Sequence, residues 1–229
     1  MSRQTMIEAA QQLPRGDLFG IGVYQLDGEF IEFEMQASDV ELDTAWAKEF
    51  LSAAGVTAAD HVLISLSNHE GPWLTAVLWA LRQIGATYTP VEVYGWDVAR
   101  YASIIDRLPI TVIFGVSEET VGALAGQHED LSDYLSGVRL VWARPGAYER
   151  LVEEGVEARP LAMLGPVLGL GETPGVNEVV VNGASWEINE GEGQLLASTT
   201  PVRTVSVVNA PTGSSGRIVE TGPTTRIAL

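Results

Sequence analysis

Ile31, Phe33 and Met35 alternate with Glu32 and Glu34, the period of a strand with one buried and one wet face. A second apolar run at 21–24 lies across Asp27-Gly28, a dipeptide of two-residue hairpin turns. The period then lengthens. Leu42, Trp46 and Phe50 recur every fourth residue behind the capping-box pattern Ser38-Asp39-Val40-Glu41, which predicts a helix ended by Gly55.

Strand and helix alternate from there. An apolar strand is expected at 62–66, followed by a helix capped at Asn68 with Trp73, Val77, Leu81 and Ile84 on one stripe and Gly85 at its end. A strand over 86–89 stopped by Pro90, a helix over 94–107, a strand at 110–114, a helix at 118–125, a strand at 138–142 and a short helix at 148–154 complete the run. This βαβ rhythm predicts a largely parallel sheet covered by helices. Helix signals stop near Arg159, where Gly165-Pro166, Gly169, Gly171, Pro174-Gly175 and Gly183 break the chain. Short β-like runs follow at 178–181, 194–197, 205–208 and 217–219. The expected organisation is an α/β domain over 1–160 and a small antiparallel, β-rich unit over 161–229, joined by a Pro/Gly-rich linker.

Composition narrows the chemistry. A length of 229 residues suffices for a sizeable core, and 46% hydrophobic with 19% charged content is that of a globular chain. Thirty acidic against 13 basic residues give a net charge of −17, which opposes nucleic-acid backbones and anionic membrane surfaces. Without cysteine there is no disulfide, thiolate catalysis or cysteine metal site. The polar first 15 residues do not read as an export signal and no apolar run reaches membrane length, so a cytoplasmic location is expected.

Several ordered segments carry a family resemblance. Asp60-His61-Val62-Leu63-Ile64, Ser67-Asn68 and Ile84-Gly85-Ala86-Thr87-Tyr88-Thr89-Pro90 follow the hairpin and the capped helix in the order found in the N-terminal domain of the adenylate-forming superfamily. That superfamily includes acyl-CoA synthetases and aryl-CoA ligases, and its usual Gly-Ala-x-Tyr-x-Pro element is structural. Further on, Gly191-Glu192-Gly193-Gln194-Leu195-Leu196 resembles the family's Gly-Glu-Leu strand, and Thr212 lies nineteen residues beyond Gly193. The resemblance implies ATP/AMP or CoA as cofactors and marks Thr212, Gly213, Ser214, Ser215, Gly216 and Arg217 as the nucleotide-contacting segment. Two alignments of that segment stay open. In one it is the late Thr-Gly-Asp motif, with Ser214 where the ribose-gripping aspartate belongs; this is preferred because the preceding strand comes at the right distance. In the other it is the phosphate loop, which cradles phosphates on backbone N–H groups. The plainest alternative is a hairpin turn with no ligand.

The same residues argue against the family's usual chemistry. Ser214 cannot accept bidentately from ribose hydroxyls as a carboxylate does. Lys48, in the first helix, is the only lysine, whereas an adenylating enzyme needs a late one against the acyl phosphate. No room is seen between Trp142 and Glu178 for a second α/β layer. The expected protein is therefore an acyl-CoA-synthetase-like chain without independent adenylation. It would act as a ligand-binding or partner-binding subunit, as a homo-oligomer or with another protein, and take an acyl or aromatic small molecule. The alternative is a minimal or split acid–CoA ligase completed by another chain.

Other constellations are weaker. His61, His69 and His128 have no metal-pair spacing, and Ser65 and Ser67 lack a nucleophile elbow. His69-Glu70 lies at a strand-to-helix junction, a place for ligand sites, but reads first as the decoration of a helix start. Glu92, Tyr94, Trp96 and Asp97 follow a strand end and could line a cleft, with both aromatics rather expected to pack. Arg144-Pro145-Gly146 could offer a basic contact to an anion but reads first as a turn with a solvated arginine, and Trp73, Trp79 and Trp142 read as core.

Overall fold

Asp27 and Gly28 both hold positive φ, 50° and 86°, which matches the twist of the strands they join. These are β1 (Leu18–Leu26) and β2 (Glu29–Gln36), paired antiparallel. The computed structural model describes residues 18–67, 70–191 and 193–229. Phe33 and Met35 face inward against Trp73, as the alternation requires.

The next helix, α1 (Ala37–Ala53), starts at Gln36 with no side-chain cap, so the expected box at Ser38 does not open it. Asp39 is fully buried and accepts the N–H groups of Thr204 (2.8 Å) and Val205 (3.3 Å) instead. A long-range contact has taken the carboxylate that a local cap would use. At the other end, Gly55 (φ 93°) and Val56 donate to the carbonyls of Ser52 and Leu51, the paired bonds of a Schellman ending.

The alternating run forms β3 (His61–Ser65), α2 (Gly71–Ile84), β4 (Thr87–Val91), α3 (Val98–Arg107), β5 (Val112–Val116), α4 (Glu118–Ala125), α5 (Leu131–Tyr134), β6 (Leu140–Ala143), α6 (Ala147–Glu153) and β7 (Ala158–Leu164). A one-turn 3-10 helix at Gly95–Asp97 leads into α3. Asn68 and His69 lie outside the described residues. Pro90 sits inside β4 rather than ending it. β4 is the sheet edge, bonded to β3 alone, and an edge tolerates a missing N–H.

Strands β4, β3, β5, β6 and β7 run parallel, and successive side chains go to opposite faces. Leu63, Ile113 and Val141 meet α3 to α6. Val62, Ile64, Val112, Phe114 and Trp142 meet α1 and α2. Coverage of both faces explains why these strands are uninterrupted apolar runs.

The segment after 158 corrects the expected linker. Ala158–Leu164 is β7, and Gly165 (φ 56°) with Pro166 turns it into β8 (Val167–Leu170). β9 (Glu178–Asn182), β14 (Thr224–Ala228) and β13 (Arg217–Glu220) add antiparallel to that edge, making one nine-stranded mixed sheet. β10 (Trp186–Gly191), β11 (Gln194–Thr199) and β12 (Ala210–Pro211) form a separate three-stranded sheet. Its Trp186, Ile188, Leu195 and Ala197 pack on Ala162, Leu164, Val179, Val181 and Ile227 of the large one. Residues 205–208 are not a strand: they belong to a strap from β11 to β12, held to α1 through Asp39. Trp79 is likewise not core. It is 37% exposed on α2, with the Phe19 ring edge-on at 5.5 Å.

Asp60 ties the N-terminal ends of the parallel strands together. It accepts from Thr57 N–H (2.7 Å), Thr111 Oγ1 (2.7 Å) and Arg139 Nε (3.1 Å). Burial raises its pKa, but the bonds from Arg139, Thr111 and Thr57 outweigh that and hold it at about 2. A depressed carboxylate stabilises above its unfolded pKa, and the gain is lost as pH falls through the folded one. Asp60→Asn is therefore expected to cost about 1 kcal/mol at pH 7, discounted because water screens the half-exposed Arg139. The cost should shrink between pH 4 and pH 2 in urea denaturation. An unchanged difference across that range would reject the linkage.

Candidate functional site

The 212–217 segment joins β12 to β13 and leans on β11. Thr212 is buried, and its N–H (3.1 Å) and Oγ1 (2.9 Å) both donate to the Leu195 carbonyl. Ser214 returns the contact, its carbonyl accepting from Leu195 N–H at 2.8 Å. Gly213 takes the left-handed conformation (φ 69°), and its N–H goes to Gln194 Oε1 at 3.1 Å. The Ser214 N–H goes to Thr212 Oγ1 (3.2 Å), and just beyond the loop the Ile218 N–H goes to Glu190 Oε1 (2.8 Å). Four amides that an anion would need are thus donated to protein acceptors, one of them a carboxylate.

Ser215 and Gly216 border an open cavity of about 360 Å³, together with Glu190, Gly191, Gly193 and Gln194. Glu192, part of the expected Gly-Glu-Gly-Gln-Leu strand, lies outside the described residues. The one charged side chain among the described lining residues is Glu190. The site's field therefore opposes a phosphate or carboxylate. Lys48 is exposed on α1. Among the described residues no group of three His, Cys, Asp or Glu is placed to hold a metal ion.

A second polar cluster sits at the C-terminal ends of the parallel strands. The chain runs from β3 outward to β4, then returns to the other side of β3 at β5. Such a reversal makes the crevice where open α/β sheets place ligands. Here the crevice is occupied from within. Arg144, at the end of β6, forms a forked pair with Glu70, Nη1 to Oε1 and Nη2 to Oε2, the second at 2.8 Å. Its Nε donates to the Gly115 carbonyl at 2.8 Å. A bulge in β5 turns that carbonyl toward it. Gly115 has φ 82°, and a Cβ there would meet the Ser65 carbonyl at 2.9 Å, so glycine is required. Ser67 N–H donates to Glu70 Oε2 at 3.0 Å. Burial pushes the Glu70 pKa up, but Arg144 and Ser67 bring it below the ordinary glutamate value.

Arg144 is thus not the solvated turn residue its Pro-Gly context suggests, and Glu70 stands at a helix start as expected but turns inward to pair with it. Sequence reasoning missed the pair because 74 positions separate the partners. The weak signal available was a charge directly after a strand, Arg144, and another at a helix start, Glu70. Tyr101 lies deep beside Ser65, and burial raises its pKa above the tyrosine range. Tyr94 and Trp96 do not pack inward: they stack on each other at 6.1 Å, and Trp96 is 72% exposed.

This arrangement, a mixed sheet with helices on both faces and a small antiparallel sheet packed at one end, is the fold of the N-terminal part of the acyl-CoA ligases. Three solved structures show the likeness. A 2-hydroxyisobutyryl-CoA ligase in its postadenylation state superposes with a TM-score of 0.67 at 13% identity, over 100% of this chain and 56% of that one. The o-succinylbenzoate CoA synthetase of Bacillus subtilis gives 0.59 at 13% identity, over 93% and 49%. A malonyl-CoA ligase gives 0.55 at 15% identity, over 93% and 52%. The chain spans about half of the length of these ligases. No family model matches the chain, and no curated protein matches it in sequence.

Proposed function

We propose that the chain is a ligase-fold binding subunit that does not form acyl adenylates by itself. The observation that carries this reading is the state of the 212–218 amides. Gly213, Ser214 and Ile218 donate to Gln194, Thr212 and Glu190, and no described cation borders the adjoining cavity. A nucleotide phosphate placed there would lose water and gain a carboxylate neighbour, which costs several kcal/mol in a partly buried site. Ser214 gives a ribose no carboxylate to grip.

The test is ATP–pyrophosphate exchange with a panel of short, branched and aromatic carboxylic acids, alongside calorimetry with Mg-ATP, CoA and an acyl-CoA. No exchange and no ATP binding are expected. Exchange above background that is abolished by Gly213→Ala would overturn the reading, because a left-handed glycine in the loop would then be serving the nucleotide.

The partial span of the ligase fold supports a second reading, in which another polypeptide supplies the remaining parts of an acid–CoA ligase. Under that reading, exchange activity appears only when the second chain is added.

A further inference from the structure

We propose that the space between α1 and the β8–β9–β14 part of the large sheet binds an uncharged aromatic molecule bearing a hydrogen-bond acceptor, with Trp46 as the gate to its inner end. This goes beyond the reading above, since it uses no atom of the 212–217 loop and holds whether or not the chain adenylates.

Two spaces meet at Trp46. The outer one is a groove of about 290 Å³ with an apolar lining from Trp46, Phe50, Ala53, Ala54 and Val180. The inner one is a void of about 20 Å³ between α1, α2 and the sheet, where Trp46, Trp73 and Trp186 converge on Ala47 and Ala76. Small residues on both helices leave that room. As it stands the void holds no more than about one water. Half-buried Trp46 is a wall of both spaces, so a change of its side-chain rotamer joins them. Together they reach the lower end of the volumes small molecules occupy, about 300 Å³.

Of the residues lining the void, Trp73 has its indole N–H buried without an acceptor. The carboxylate lining the void, Asp43, is already taken by Arg203 Nη1 at 2.8 Å. An unpaired buried donor is destabilising, and an entering carbonyl oxygen satisfies it. Charge decides the rest of the ligand. Glu49 and Glu172 stand on the outer groove, Glu172 paired with Arg226 at 2.5 Å, and no cation lines either space. Carboxylates and phosphates are therefore disfavoured. The flat walls of Trp46 and Phe50, 5.7 Å apart and inclined by 31°, suit an aromatic ring.

The test uses the purified full chain and the neutral aromatic ketone 6-propionyl-2-(dimethylamino)naphthalene, followed by fluorescence. Saturable one-to-one binding with a blue-shifted emission is expected, and the anionic 8-anilinonaphthalene-1-sulfonate should bind at least about tenfold more weakly. Ala53→Trp, at an exposed position on the groove, should weaken the ketone about tenfold without moving the unfolding midpoint. Trp73→Phe, which removes the donor and trims the ring, should weaken it about fivefold and move the bound emission further to the blue, because the ketone oxygen loses its hydrogen bond. Trp46→Ala removes both the gate and one flat wall, and should speed the association and the dissociation of the ketone. No saturable binding, equal affinity for the sulfonate, or indifference to Ala53→Trp would each overturn the proposal.

Discussion

Arg144→Met is expected to cost the fold about 3–5 kcal/mol, because it leaves the Glu70 carboxylate buried without its counter-charge. Both side chains are largely inside, 16% and 10% exposed, so water cannot replace the lost partner as it does at a surface pair. The change also frees the Gly115 carbonyl, which the bulge in β5 holds toward Arg144 Nε. The sign with pH follows from the lowered Glu70 pKa. In the parent chain its stabilisation is present above the unfolded glutamate pKa and is lost as pH falls through the folded one. In Arg144→Met the buried acid is best kept protonated, so the gap between parent and variant should narrow toward pH 4. Urea denaturation at pH 7 and pH 4 reads both effects. Adding Glu70→Gln should return most of the loss, since a neutral amide needs no counter-ion. A loss below about 1 kcal/mol at pH 7 would show that solvent reaches the pair after all.

The second large effect is expected at Trp142→Ala, about 3–5 kcal/mol from the cavity and the lost transfer energy together. Trp142 is fully buried on β6, near the middle of the nine-stranded sheet. Its ring lies 5.7 Å from Phe114 and 6.2 Å from Phe50, so it links the sheet to α1. Nε1 donates to the Gly171 carbonyl at 2.9 Å, beside the β7–β8 hairpin. Trp142→Phe keeps most of the ring but orphans that carbonyl, and should cost about 1–3 kcal/mol. The order Ala worse than Phe worse than parent, read from urea midpoints at constant m-value, is the outcome to check. Equal losses for Ala and Phe would assign the role to the hydrogen bond alone.

The two large effects arise at residues of different legibility. Trp142 is recognisable as core because it ends an apolar run of strand length. Glu70 and Arg144 are two unremarkable charges until the sheet closes. The same division runs through the whole chain. Asp27-Gly28 and the Ile31-Phe33-Met35 alternation are local signals, and the hairpin forms where they place it. The Gly55 and Gly85 helix endings and the βαβ rhythm are local too, and the parallel half of the sheet follows them. Residues 158–170 were not legible. Their Gly-Pro punctuation signals a linker, yet Gly165-Pro166 is a tight turn between two buried strands. Residues 205–208 have strand composition, but Asp39 holds the neighbouring amides on α1 before a ladder can use them. The residues of the 212–217 loop were legible as a turn. Where their amides point was not.

By itself the sequence determined what depends on neighbours in the chain: the periods of strands and helices, the turns that need positive φ, the helix ends and the excess of acid. Tertiary structure alone decided which edge the antiparallel strands extend, which carboxylate meets which guanidinium, and which donors are left buried without acceptors. The physical reason is range. Backbone torsions and side-chain periodicity act over a few residues, whereas desolvation and pairing of charges are settled only when segments dozens of positions apart exclude water together.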